Sequence, residues 1–228
     1  MLSNGSGLSP LLSAGSEADA QRMTKPLKVL LLESHPGAGT TTADRLVHDG
    51  HQVHRCHEPG DTGFACIGLG PDRHCPIDRH IDAAVLVRSE DTPDPTPLED
   101  GVRCAIRAGI PVVEVSGTGP DPFAEWVALH ADESSVSAAC TTAVELAAQP
   151  LIAAVLAKVT PLLDEAGYNP DDVECTISTE FPDLDLDVGV PGPVDRPLEQ
   201  ALGVRAYDAL RPLTRSYKTV NVTVHGLT

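Results

Sequence analysis

The stretch KVLLLESHPGAGTTTADRLVHDG, residues 28–50, decides the fold. Its first six residues are an unalternated apolar run, the pattern of a strand buried on both faces of a parallel sheet. Gly37 and Gly39 then supply a tight turn, and Thr41 or a neighbouring threonine is placed to cap a helix that stops at Gly50. A buried strand running through a short turn into a helix opens a βαβ unit, so the expectation is an α/β domain.

Working outward, residues 52–55 read as a second strand, Ile81 to Val87 as a third with Asp82 near its start, and Ile110 to Val115 as a fourth. Between the last two stands a helix with a full start signal: Thr96 as N-cap, Pro97 in the first helical position and Glu99 two residues further on. Leu98, Val102, Ala105 and Ile106 form its apolar stripe, and Gly109 ends it. Pro122 to Leu129 reads as a short helix carrying Trp126 as a core or interdomain anchor, and Ser134 to Ala138 as a weak fifth strand. A helical pattern runs from about Thr141 to Glu165, with Pro150 expected to kink or split it.

After Gly167 the pattern changes. Val173, Cys175 and Ile177 alternate with polar residues, as do Leu184, Leu186, Val188 and Val190, and both runs read as half-buried strands. A helix from about Arg196 to Arg211 and a final strand from Thr219 to His225 complete a β-β-α-β unit. The expected fold is thus a flavodoxin-like three-layer parallel sheet followed by a small α+β domain. Its boundaries are a disordered tail over 1–25, an α/β domain over 26–140, a bridging helix over 141–167 and the small domain over 168–228.

Composition narrows the function. The chain carries 33 acidic against 16 basic residues, a formal net charge of -17. That field repels phosphate backbones and anionic lipid, which argues against nucleic-acid and membrane-surface partners. No apolar run reads as approaching the roughly 20 residues that span a bilayer, so membrane insertion is not expected. The start, MLSNGSGLSPLLSAGSEADAQR, lacks a basic n-region and a compact apolar core, so it does not read as a signal peptide, and Met23 is a plausible start of its own. The expectation is a cytoplasmic protein, in a reducing compartment where clustered cysteines serve as thiols or metal ligands more often than as structural disulfides.

One cluster stands out. CHEPGDTGFACIGLGPDRHC, residues 56–75, holds Cys56, Cys66 and Cys75 and lies in the crossover between the second and third strands. Its glycines and prolines forbid a helix, and loops of about this length in a compact domain are usually functional or disordered. A segment with no core of its own can gain folding energy by tying several ligands to one ion. Cys56, Cys66 and Cys75 supply three thiolates, with His57 and His74 as the nearest candidates for a fourth ligand and His54, His80 and Cys104 as further ones. Zinc accepts three cysteines and a histidine, and an iron–sulfur cluster accepts three or four thiolates, although no CxxC spacing is present. Cys140 and Cys175 read as core residues. A second candidate is the turn SHPGAGTTT, where the amides around Gly37, Gly39, Thr40 and Thr41 could hold a phosphate or carboxylate at a helix start.

Two resemblances follow from these motifs. KVLLLE and IPVVEVSG, with Ser116 near the end of the fourth strand, give residues 27–116 the layout of a response-regulator receiver domain. Glu33 is followed by Ser34 and His35 where a receiver has an acidic pair, and the phosphoacceptor position falls on Val87 or Arg88, so the layout is implied and phosphotransfer is not. The ending VRAYDALRPLTRSYKTVNVTVHG resembles the alkaline-shock envelope-stress family, through Val220, Asn221, Val222, Val224 and Gly226. That resemblance implies a non-catalytic stress-response protein that associates with itself or with another protein through its C-terminal domain. Two functions remain in view: a non-enzymatic regulatory or adaptor protein with a metal-supported loop, and a small oxidoreductase or redox sensor using an iron–sulfur cluster, flavin or reactive thiols. Only three Phe, three Tyr and one Trp are available to stack on a flavin, which favours the adaptor.

Overall fold

A computed structural model describes residues 25–57, 66, 68, 75–89, 93–116, 121–180, 182–215 and 217–227. The expected tail up to residue 24, His74 and the middle of the cysteine-bearing crossover lie outside the described residues.

Five parallel strands form the first sheet: β1 (Lys28–Glu33), β2 (Gln52–Arg55), β3 (Ala83–Arg88), β4 (Val112–Ser116) and β5 (Val127–Ala131), in the order β2-β1-β3-β4-β5. This is the doubly wound, flavodoxin-like order. Helices α1 (Thr40–His48) and α2 (Gly101–Ala108) lie between strands, and α3 (Val136–Glu165) follows β5. The apolar run in β1 is divided residue by residue between two cores. Val29 and Leu31 join Leu46 of α1 and Val136, Cys140 and Ala143 of α3. Leu30 and Leu32 join Val102 and Ala105 of α2. Alternate side chains of a strand point to opposite faces, so a strand apolar at every position needs a helical layer on each side.

The capping signal before α2 is present. The Thr96 N–H donates to the Glu99 carboxylate at 2.6 Å, and Gly109 takes a left-handed φ of 72° at the helix end. Glu99 also ties the layer to the sheet, because the Arg88 Nε donates to it at 2.6 Å with both side chains buried.

Three local expectations are corrected. Residues 122–129 are not a helix: turns lead from Asp121 into β5, which takes up the alternation of VALHA as an edge strand. Strand pairing with β4 overrides the helical propensity of Ala and Leu there. Ser134 to Ala138 is not a strand, and α3 begins at Val136. Trp126 is 48% exposed and anchors nothing in the core, whereas Phe123 is buried in its place.

The second sheet has the order β6-β7-β8, with β6 (Glu174–Glu180) antiparallel to β7 (Asp183–Pro191) and β7 parallel to β8 (Thr219–Leu227). Helix α4 (Arg196–Leu210) crosses between β7 and β8, its start capped by the Asp195 carboxylate, which accepts from the Leu198 N–H at 2.9 Å. The alternation read in the sequence builds this core: Leu184, Leu186, Val188 and Val190 of β7 meet Val220 and Val224 of β8 and Leu202, Ala206 and Leu210 of α4.

Helix α3 serves both cores, with Val136, Cys140 and Ala143 in the first and Val155, Val159 and Leu163 in the second. It is unbroken over 30 residues although Pro150 and Pro161 lie inside it. Proline at 150 removes the hydrogen bond to the carbonyl of Leu146, but both residues are exposed, so water can take that acceptor. Unbroken, the helix is long and apolar enough, by length and composition, to cross a membrane, with an 18-residue stretch of mean hydropathy 1.6. The expectation that no apolar run approaches that length is corrected accordingly. Where the two units meet, the buried His80, at a φ of 67°, stands with Nε2 2.7 Å from the Asp82 carboxylate and 3.2 Å from the Thr179 hydroxyl.

Candidate functional site

In an open parallel sheet, ligands bind beyond the C-terminal ends of the strands. Because β1 and β2 are parallel and in register, the turn after Glu33 and Cys56 after Arg55 emerge at that same edge. The structure therefore places both sequence candidates on one side of the domain.

At the turn, Gly37 has a φ of 89°, which favours glycine, and the Thr40 hydroxyl donates to the Gly37 carbonyl at 2.9 Å. Helix α1 already begins at Thr40, so Gly39 rather than Thr41 occupies the N-cap. The Gly39 N–H donates to the Glu33 carboxylate at 3.1 Å, and Arg55 reaches the same oxygen at 3.2 Å. A carboxylate from within the chain thus already meets this amide, and an external anion would have to displace it. Gly39 is also hemmed in: a Cβ there would stand 3.0 Å from Leu31 Cδ2 and 3.3 Å from the Glu33 carboxylate, so a larger residue would have to push both aside.

Cys56 is buried on the α2 side of the sheet, with His54 on the same face one pleat earlier. Its Sγ packs against the start of α2: a Cβ added at Gly101 would stand 3.0 Å from that sulfur and 2.5 Å from Leu32 Cδ2. Cys104 follows Gly101 by one helical turn, on the same side of α2. Arg107 contacts its sulfur at 3.4 Å. The far end of the crossover folds back on itself, since a Cβ at Gly68 would come 3.0 Å from Cys75 Cβ. Burial pushes the Cys56 thiol up to about 12, and repulsion from Cys66, Cys75 and Cys104 pushes in the same direction. Four of the six cysteines thus share one neighbourhood, and all six are free thiols. His57 Nδ1 and His54 Nε2 are buried without a hydrogen-bond partner among the described residues. Burial, then the charges of Lys28 and Arg79, hold the His54 imidazolium below its usual range, so this ring is a neutral donor of a lone pair near pH 7.

The raised thiols carry a consequence for the metal-free chain. Cys56 and Cys140 are both shifted from 9.0 to about 12, mainly by burial. Between those values the unfolded chain has released protons that the folded chain retains, so stability is complete below pH 9 and falls as pH rises toward 12. The loss is about 1.4 kcal/mol per pH unit for each thiol. Melting temperatures at pH 8 and 10.5 should show this decline, shallower in Cys140→Ala; equal slopes in the two proteins would exclude it.

A second constellation lies at β4 and β5. Glu114 of β4 is cross-strand partner to His130 of β5, and Asp121 lies in the connection between those strands. Their ligand atoms all fall within 4.8 Å of one another, a spacing that could hold a metal ion. Among the described residues the four sulfurs do not close to that spacing, so an ion would have to draw them in. This trio was missed in the sequence. Its only local signal is a carboxylate in the apolar run VVEVS, and its members are 7 and 9 positions apart.

No known protein family matches this chain, and no curated protein matches it. Among solved structures, a fusion carrying the yeast Spc42 trimeric coiled coil is 19% identical, aligned over 62% of this chain and 90% of its own, with a TM-score of 0.37. A likeness at that level carries no argument about fold, function or assembly.

Proposed function

We propose that this chain is a cytoplasmic, non-enzymatic regulatory or adaptor protein whose β2–β3 crossover is tied down by a thiolate-bound metal. Cys56, Cys66, Cys75 and Cys104 are the ligands, with His57 able to replace one of them. The observation that supports the reading is the gathering of three further thiols around the buried Cys56 at the ligand-binding edge of the sheet. Zinc is the first choice, because four thiolates satisfy its tetrahedral preference and a structural zinc site needs no open position. The helix cysteine would then link the crossover to α2, and metal binding and ordering of the crossover would be a single free energy. Because a thiol with its pKa near 12 must lose its proton to bind, uptake releases protons and tightens as pH rises.

Elemental analysis of untagged protein purified under nitrogen tests the proposal. About one zinc per chain supports it. Iron with stoichiometric sulfide and visible absorbance would favour the redox alternative, an iron–sulfur protein or redox sensor. Metal-free protein whose four thiols all react in the folded state would exclude zinc and the iron–sulfur cluster and leave a redox sensor that works through reactive thiols.

The adaptor reading also needs a surface for another protein chain. Among the described residues β8 pairs only with β7, so its outer backbone edge is open. Val220 and Val224 face the home core, while Asn221, Thr223 and His225 face away. The resemblance to the alkaline-shock family points to self-association or partner capture at this edge, by strand addition. Light scattering should find wild-type protein in a larger assembly than Thr223→Pro of unchanged helix content. Identical masses for the two would count against the edge.

A further inference from the structure

The trio on β4, β5 and their connection is independent of the thiols, and its chemistry differs. We infer that Glu114, Asp121 and His130 form a second metal site, for a first-row divalent cation of the manganese or zinc class, separate from the cysteine cluster.

The case rests on placement. Val113 and Val115 point into the core shared with α1 and α3, so Glu114 points to the α2 side, where it is 1% exposed. Leu129 packs into the α1/α3 core, so its neighbour His130 comes up on the same side as Glu114. The direct pairing of residues 114 and 130 fixes their separation through the sheet itself. Asp121 arrives from the connection and is oriented by a hydrogen bond: the Phe123 N–H donates to its Oδ1 at 2.7 Å. That leaves Oδ2, which is buried and has no hydrogen-bond partner among the described residues, as the oxygen for an ion.

Two carboxylates brought within 4.8 Å of each other repel, and a cation between them reverses that repulsion. Burial grades from Glu114 through the half-buried Asp121 to the exposed His130, so an ion has a way in from solvent. Two carboxylates and one imidazole are an oxygen-rich donor set that suits manganese or zinc better than it suits a soft ion such as copper(I). Three protein ligands leave positions open for water or for an anionic group of a ligand, as in metal sites that bind exchangeable molecules.

The test is titration of the full-length protein with Mn²⁺, free ion being read by room-temperature electron paramagnetic resonance. Wild type should bind one Mn²⁺ per chain. Asp121→Asn and His130→Ala should each weaken that binding by about tenfold or more, and Cys56→Ser should retain it. His130 is exposed, so His130→Ala keeps the test valid if the other variant folds poorly. Weak binding that is the same in wild type and both variants is attraction to the acidic surface and overturns the inference, as does no binding by wild type. Loss of Mn²⁺ binding in Cys56→Ser would overturn the separateness of the two sites while leaving the thiol proposal standing.

Discussion

Cys66→Ser should release the proposed metal from the crossover and lower the melting temperature by roughly 8–16 °C, while Cys175→Ser should leave the metal content unchanged. The magnitude follows from mass action. A ligand present at about 1,000 times its dissociation constant stabilises the state that binds it by about 4 kcal/mol, and in a chain of this size each kcal/mol moves the melting point by about 2–4 °C. Serine keeps the shape of cysteine but not its thiolate, so the loss is one of ligation rather than packing. Cys175 is the matched control, because it packs beside the second core, away from the other thiols. A strong chelator should lower the wild-type melting point by the same amount and hardly move that of Cys66→Ser. A chelator that affects both proteins equally, or neither, would contradict the thiolate site.

Arg88→Met destabilises the fold by about 3–5 kcal/mol, a large share of the roughly 5–15 kcal/mol that holds a typical domain. Arg88 and Glu99 have side chains only 3% and 0% exposed. Removing the guanidinium leaves a carboxylate sealed in the α2 layer with the Thr96 N–H as its remaining hydrogen bond among those described. Breaking such a pair costs far more than replacing both partners with apolar groups, because the penalty lies in the stranded charge. The double variant Arg88→Met, Glu99→Leu should therefore recover much of the loss, less about 1 kcal/mol for the vanished cap. Urea unfolding with unchanged slope and a lowered midpoint is the readout. A loss below about 1 kcal/mol in the single variant would mean that Glu99 does not depend on this arginine.

The parts of the fold legible in the sequence were those with local causes. KVLLLE announces a strand covered on both faces, Thr96-Pro97 with Glu99 announces a helix start, and the alternation around Leu186 and Val222 announces a half-buried sheet. Where the sequence misled, the deciding interaction was distant. VALHA is a strand because β4 offers it an edge, and Pro150 fails to break α3 because its ends are fixed in two different cores. The candidate sites divide the same way. Cys56, Cys66 and Cys75 are visible as a concentration of thiols in a segment unable to form a helix. Cys104 joins them only through the packing of α2 against Cys56, although its position off the apolar stripe hinted at it. Glu114, Asp121 and His130 carried no readable spacing, since the register of β4 with β5 is what assembles them.

Helix α3 lends Cys140 to one core and Val159 to the other without interruption. The two sets of residues do not overlap: Val136 to Val144 cover the first sheet and Leu151 to Leu163 the second. A truncation before α3 strips the α1 face of the first sheet of the cover that Val136, Cys140 and Ala143 give it. Helix α3 is therefore held near one end by the first core and near the other by the second. At about 1.5 Å per residue it is also a strut of roughly 45 Å, long enough for a small tilt at the thiol-bearing unit to become a visible displacement at the open edge of β8.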